Sequence, residues 1–283
     1  MFAEMSRGLQ TTLWIVVAAQ VALAAGYVFE ISAAVDLWPF AERGQLTNIF
    51  IGSIFAAAAA STAWCLVLRS MRALAGIALD YVVILGPLGG YSFVRAVQGE
   101  GSRAHLVVFG LVSLVSAGVG VALLRSSLRV PWRDPRPVPQ LVRWSFVAFL
   151  VALAIVASLL IVRVEVLPWP VTGELSTLIG FMFLGAAAYF VYGIVVPRWE
   201  NAGGQLAGFL AYDLVLIWPF LERLPTIGDD SRLSLIVYTT VVVYSGGLAV
   251  YFLLLHPGTR GRWSVAADAQ RAAPEENAPA AVG

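Results

Sequence analysis

Apolar residues in this chain gather into eight long runs, and the polar residues fall in short clusters between them. The runs cover approximately 9–29, 47–68, 74–94, 105–124, 144–162, 175–196, 204–221 and 233–255. A bilayer core takes about 20 apolar residues per helix, so each run is long enough to cross. None of them alternates with the period of two that a transmembrane barrel requires, and open sheet edges are not tolerated in lipid. The pattern therefore predicts an all-α integral membrane protein with eight transmembrane helices. The first run follows Arg7 and contains Ala22-Leu23-Ala24, which imitates a signal-peptide cleavage site. It is longer than a signal core of roughly 7–15 residues and is read as a retained helix.

Two polar segments interrupt this rhythm. Residues 125–143, "RSSLRVPWRDPRPVPQLVR", are too rich in proline and arginine for a membrane helix. They are expected to form an extended cytoplasmic linker at the bilayer surface, with arginines near anionic headgroups. The end of the chain, "RAAPEENAPAAVG", has the composition of a disordered tail.

The runs on either side of the linker resemble each other. "HLVVFGLVSLVSAGVGVALL" (105–124) lies over "SLIVYTTVVVYSGGLAVYFL" (234–253) without a gap, pairing Ser116 with Ser245 and Gly118 with Gly247. "LAGIALDYVVILGPL" (74–88) lies over "LAGFLAYDLVLIWPF" (206–220), pairing Pro87 with Pro219. Trp38-Pro39 corresponds to Trp169-Pro170, and Phe50-Ile51-Gly52 to Phe183-Leu184-Gly185. The matches keep one order and nearly one offset, and they include Gly, Pro and Trp as well as aliphatics. The expected organisation is a tandem, parallel duplication: a first four-helix unit at 1–124, the linker at 125–143, a second unit at 144–256, and a disordered cytoplasmic tail at 257–283. Four helices per unit give both units the same orientation, related by an axis along the membrane normal.

Composition agrees with lipid as the solvent. The chain is 59% hydrophobic and 12% charged, against about 25% charged in soluble domains. No basic tract could track phosphates, so nucleic-acid binding is not expected. Every basic residue besides the two histidines is Arg. Without lysine, Schiff-base chemistry and Walker-type phosphate loops are excluded. The single cysteine, Cys65, allows no internal disulfide. With an inward amino terminus, twelve arginines face the cytoplasm and six the outside. This bias places both termini in the cytoplasm, in what is expected to be a bacterial cytoplasmic membrane.

Few polar residues lie deep enough to carry chemistry. Asp80 and Asp213 sit in the inner halves of the third and seventh runs, each beside a tyrosine, Tyr81 and Tyr212, in swapped order. An acid in mid-bilayer costs roughly 2.5–3.5 kcal/mol on insertion scales. These four residues are the candidate intramembrane polar site. They serve either as a cation or proton site between the halves, or as structural groups satisfied by Tyr, Ser, Arg or water. Pro87 and Pro219 are candidate helix kinks, and Gly86, Gly89 and Gly90 add the alternative of a broken third helix. The three Trp-Pro elements, which include Trp218-Pro219, are expected at the outer interface as anchors.

Catalytic signatures such as GxSxG and HExxH do not occur, and two histidines near run ends supply neither haem ligands nor a metal cluster. No catalytic residue, metal or cofactor is expected, and the reading leans away from an enzyme. The function expected is a small-solute or ion transporter or channel with a path between the halves. The alternative is a non-catalytic subunit, scaffold or sensor of a larger complex. Expected partners are the lipid bilayer, a small solute or cation, and a second copy or a membrane-complex partner.

Overall fold

The computed structural model describes residues 5–40, 44–99, 101–134 and 136–259. The chain forms α1 (Arg7–Val28), a short α2 (Ser32–Val35), α3 (Gln45–Val67), α4 (Leu74–Gln98), α5 (Arg103–Leu128), α6 (Gln140–Ile161), α7 (Gly173–Val195), α8 (Trp199–Arg223) and α9 (Asp229–Val250). A π-helical turn, Tyr251–Leu255, extends α9. Eight of these helices are long and apolar enough to cross a membrane, and no strand occurs among the described residues. The chain is an integral membrane protein.

Local chemistry sets several helix ends. The Ser6 hydroxyl accepts the Leu9 amide at the start of α1, and the Thr172 hydroxyl accepts the Leu175 amide at the start of α7. Gly99, with φ of 78°, ends α4 in the left-handed conformation. Helices α1 and α6 end the same way without glycine, on Glu30 (φ 53°) and Arg163 (φ 65°). Behind them the Ile31 amide donates to the Gly26 carbonyl at 2.8 Å and the Val164 amide to the Leu159 carbonyl at 2.9 Å, the same six-residue closure at both ends.

The helices pack in pairs. α1 lies on α3, α4 on α5, α6 on α7 and α8 on α9, while α3 against α8 and α4 against α7 join the first four long helices to the last four. Small residues permit the close approaches. Gly52 meets the Ala24 carbonyl and Val28, Gly120 meets the Ala78 carbonyl and Val82, and Gly180 meets the Ala157 carbonyl and Ile161. On the side away from the linker, the Arg95 guanidinium pairs with the Glu174 carboxylate at 2.7 Å and ties α4 to α7.

The segment between α5 and α6 is expected as an extended linker at the bilayer surface. It is folded onto the protein and bonds to both halves. The Arg133 and Asp134 amides donate to the Glu200 carboxylate, the Arg133 guanidinium to the Arg69 carbonyl, and the Arg136 guanidinium to the Gly258 carbonyl. Pro137 forms an isolated bridge with Arg198, and Arg72 stacks 4.9 Å from the Trp132 ring. The Glu200 carboxylate and the Arg69 carbonyl, at the start of α8 and just past α3, supply the acceptors that hold these groups. The tail expected at 257–283 lies, beyond Thr259, outside the described residues.

Two other expectations change. α4 and α8 run unbroken through Pro87 and Pro219, so α4 is not interrupted at its glycines. Trp38 and Trp169 are not lipid-facing anchors. Both are buried, Trp38 against Phe40 and Phe109, Trp169 against Phe50, Phe220 and Tyr238. Aromatic packing inside the bundle outweighs the interfacial preference there, and only Trp218, 66% exposed, keeps the outward position.

Candidate functional site

The contacts of α3 with α8 and of α4 with α7 form a seam whose character changes along its length. At one end it is aromatic. Phe50 of α3 packs 5.4 Å from Phe183 of α7 and 6.2 Å from Tyr212 of α8, and Tyr91 of α4 packs 6.4 Å from Phe181 of α7. Toward the starts of α4 and α8 it becomes polar. Trp64 donates its indole N–H to the Glu200 carbonyl at 3.0 Å, and Ser61 donates its hydroxyl to the Gly204 carbonyl at 2.9 Å. Glycine makes this possible: a Cβ on Gly203 would fall 2.1 Å from Trp64 Cζ2, and one on Gly208 2.4 Å from Ser61 Oγ.

The four candidate acids and phenols divide between two neighbourhoods. The Tyr81 hydroxyl accepts a hydrogen bond from the Gln20 amide of α1 and lies 3.4 Å from the Thr62 hydroxyl of α3. Asp80 turns toward α7, where its Oδ1 would stand 2.7 Å from a Cβ on Gly185. Tyr212 and Asp213 belong to the other group. The Tyr212 hydroxyl bonds to that of Tyr238 on α9, and Asp213 faces Gly246 of α9, 4% exposed. The acids also differ in depth. Asp80 lies six residues beyond the start of α4 and Asp213 fourteen beyond the start of α8, roughly 9 Å and 21 Å along the helix axes. Because α8 starts at Trp199, Asp213 stands just past the midpoint of its helix.

Buried carboxylates are costly unless paired, and these two are incompletely satisfied. Asp80 Oδ1 and both oxygens of Asp213 are buried without a hydrogen-bond partner.

The first turns of α8 carry residues that hydropathy did not single out. Glu200, Asn201 and Gln205 are each at most 3% exposed. Glu200 Oε2 accepts the Arg133 and Asp134 amides at 3.0 and 2.9 Å, and Gln205 donates its amide to the Tyr189 carbonyl at 2.5 Å. Asn201 Oδ1 and the Tyr189 ring both crowd the position a Cβ on Gly76 would take. The signal in the sequence was the run Trp199-Glu200-Asn201, which reads as a loop before an apolar window.

No group of three or more His, Cys, Asp and Glu suited to a metal ion occurs among the described residues. His105 is engaged with the Leu37 carbonyl, and His256 with Thr259. The sequence matches no family model, and no curated protein or solved structure is recognisably similar to it.

Proposed function

We propose that the protein is a small-solute or ion transporter or channel of a bacterial cytoplasmic membrane, with its path along the seam between two four-helix halves. The observation that carries this reading is the burial of carboxyl and amide groups with unpartnered atoms where α3, α4, α7 and α8 meet. Polar groups held inside a membrane bundle are expensive and characteristically mark solute and ion routes. The aromatic end, with Phe50, Phe183 and Tyr212, acts as the closed end of that route.

The halves are read as a tandem duplication. α1 and α6 have 22 residues each, α3 and α7 have 23, and α4 and α8 have 25. Exchanging α1 with α6, α3 with α7, α4 with α8 and α5 with α9 maps the packing pairs onto themselves. The Trp38–Phe109 contact at 5.6 Å finds its counterpart in Trp169–Tyr238 at 6.2 Å. The close approaches of Gly52 to Ala24 and Val28 and of Gly180 to Ala157 and Ile161 favour pairing Gly52 with Gly180, in place of Gly185. The arginine bias supports cytoplasmic termini.

Flux measurements in proteoliposomes test the transport reading. Wild-type protein is expected to move protons or a common cation, and Asp80→Asn or Asp213→Asn to lower that flux about tenfold or more, the effect of removing a buried charged contact. Unchanged flux in both variants overturns the reading. No flux in the wild type, with a stoichiometric partner retained in mild detergent, favours the subunit or scaffold alternative.

A further inference from the structure

The junction of α4, α7 and α8 holds a chemically unbalanced set of atoms. Asp80 Oδ1, Asn201 Oδ1, Gln205 Oε1 and Glu200 Oε1 are buried acceptors without a donor. Against them stand the unpartnered Asn201 Nδ2 and the Tyr189 hydroxyl, and a hydroxyl can also accept. No membrane helix carries a basic residue between its first and last turns. A cation from outside the chain would complement these acceptors.

Register brings the groups together. Asp80 follows Gly76 by one turn on α4, Tyr189 follows Gly185 on α7, and Gln205 follows Asn201 on α8. A Cβ on Gly76 would lie 2.3 Å from Tyr189 Cε2 and 2.7 Å from Asn201 Oδ1, and one on Gly185 2.7 Å from Asp80 Oδ1. Missing side chains at 76 and 185 thus leave room for the Tyr189 ring and the Asn201 carbonyl oxygen at Gly76 and for the Asp80 carboxylate one turn further along, at Gly185. Asn201 is 1% and Tyr189 8% exposed, while Asp80 is half-buried with its Oδ1 inside the protein.

We infer that this junction binds a small monovalent cation, an alkali ion or ammonium, through the Asp80 carboxylate, the Asn201 carbonyl oxygen and the Tyr189 hydroxyl. The inference rests on the transport reading only in naming the substrate or coupling ion of the same seam. Hard cations and ammonium take oxygen ligands, and one carboxylate with neutral oxygens matches a single positive charge. A divalent ion calls for more carboxylates. Glu200 is not counted, because its other oxygen is committed to the linker amides.

Binding is measured on full-length protein in detergent, as the unfolding midpoint while sodium, potassium or ammonium chloride replaces choline chloride at constant ionic strength. At least one small cation is expected to raise the midpoint saturably. Asp80→Asn and Asn201→Leu should each weaken the apparent affinity about tenfold or more, and Asn201→Asp should tighten it. Stabilisation no greater than in choline, or wild-type affinity in Asp80→Asn, overturns the site. If Asp80→Asn does not fold, the Asn201→Asp variant decides: unchanged or weaker affinity overturns the site. Saturable stabilisation without flux leaves the site standing and removes transport. Flux alongside binding indifferent to residues 80 and 201 does the reverse.

Discussion

Gly76 is the residue whose replacement discriminates most sharply. A methyl group there meets the Tyr189 ring and the Asn201 amide inside a packed three-helix junction. Overpacking of this kind costs about 1–3 kcal/mol, so Gly76→Ala should lower the thermal unfolding midpoint in detergent by several degrees. At Gly118 an added methyl would find no atom within 4 Å; Gly118→Ala, in mid-helix, should be neutral or stabilise by up to about 1 kcal/mol. Equal midpoints for the two variants would sink the crowding argument. At this scale the sequence discloses Asp80, Tyr81, Tyr212 and Asp213, because a polar atom in an apolar run announces itself. Asn201 and Gln205 stay hidden for a physical reason. Hydropathy assumes that a polar stretch beside an apolar one faces water, whereas here α3, α4 and α7 enclose it. The buried Trp38 and Trp169 mislead in the opposite sense, since an interfacial tryptophan and one packed on Phe109 or Tyr238 look alike in sequence.

Among the elements, α8 ties the linker to the seam. Its first turn offers the Glu200 carboxylate to two linker amides and carries Asn201 against α4, and the next turn sets Gly204 and Gln205 against α3 and α7. Removing the carboxylate leaves two amides without their acceptor, at a cost of about 1–3 kcal/mol for each that stays buried. Glu200→Ala should therefore accelerate tryptic cleavage after Arg129 and Arg133 and lower the unfolding midpoint. Glu200→Gln, which keeps one acceptor oxygen, should show a smaller effect in both measurements. Cleavage rates unchanged in Glu200→Ala would mean that the other linker contacts suffice. The eight membrane helices were legible from run length alone, to within a few residues at most ends. The linker's position was not, because its anchor lies 66 or 67 residues further along the chain and no local pattern encodes that pairing.

For the whole molecule, the question is what holds the halves together. Two kinds of connection exist: the covalent linker, and the helix contacts α3 on α8 and α4 on α7 with the Arg95–Glu174 pair at their far side. Which helices meet was not readable from hydropathy, because every run is apolar on most faces and lipid competes equally well for each. The tertiary answer comes from shape: glycines at 76, 185, 203 and 208 let side chains from the other half enter. If that fit dominates, the linker is dispensable once the bundle has formed. A protease site introduced after Arg129 and cleaved in mild detergent should leave the fragments associated through size-exclusion chromatography. Phe183→Ala removes the ring that touches Phe50 at the aromatic end of the seam. A large-to-small change in a packed core costs about 3–5 kcal/mol, so the cleaved variant should separate under conditions where the cleaved wild type does not. Separation of the cleaved wild type would assign the cohesion to the strap instead, and the seam would then be a surface the halves can part along.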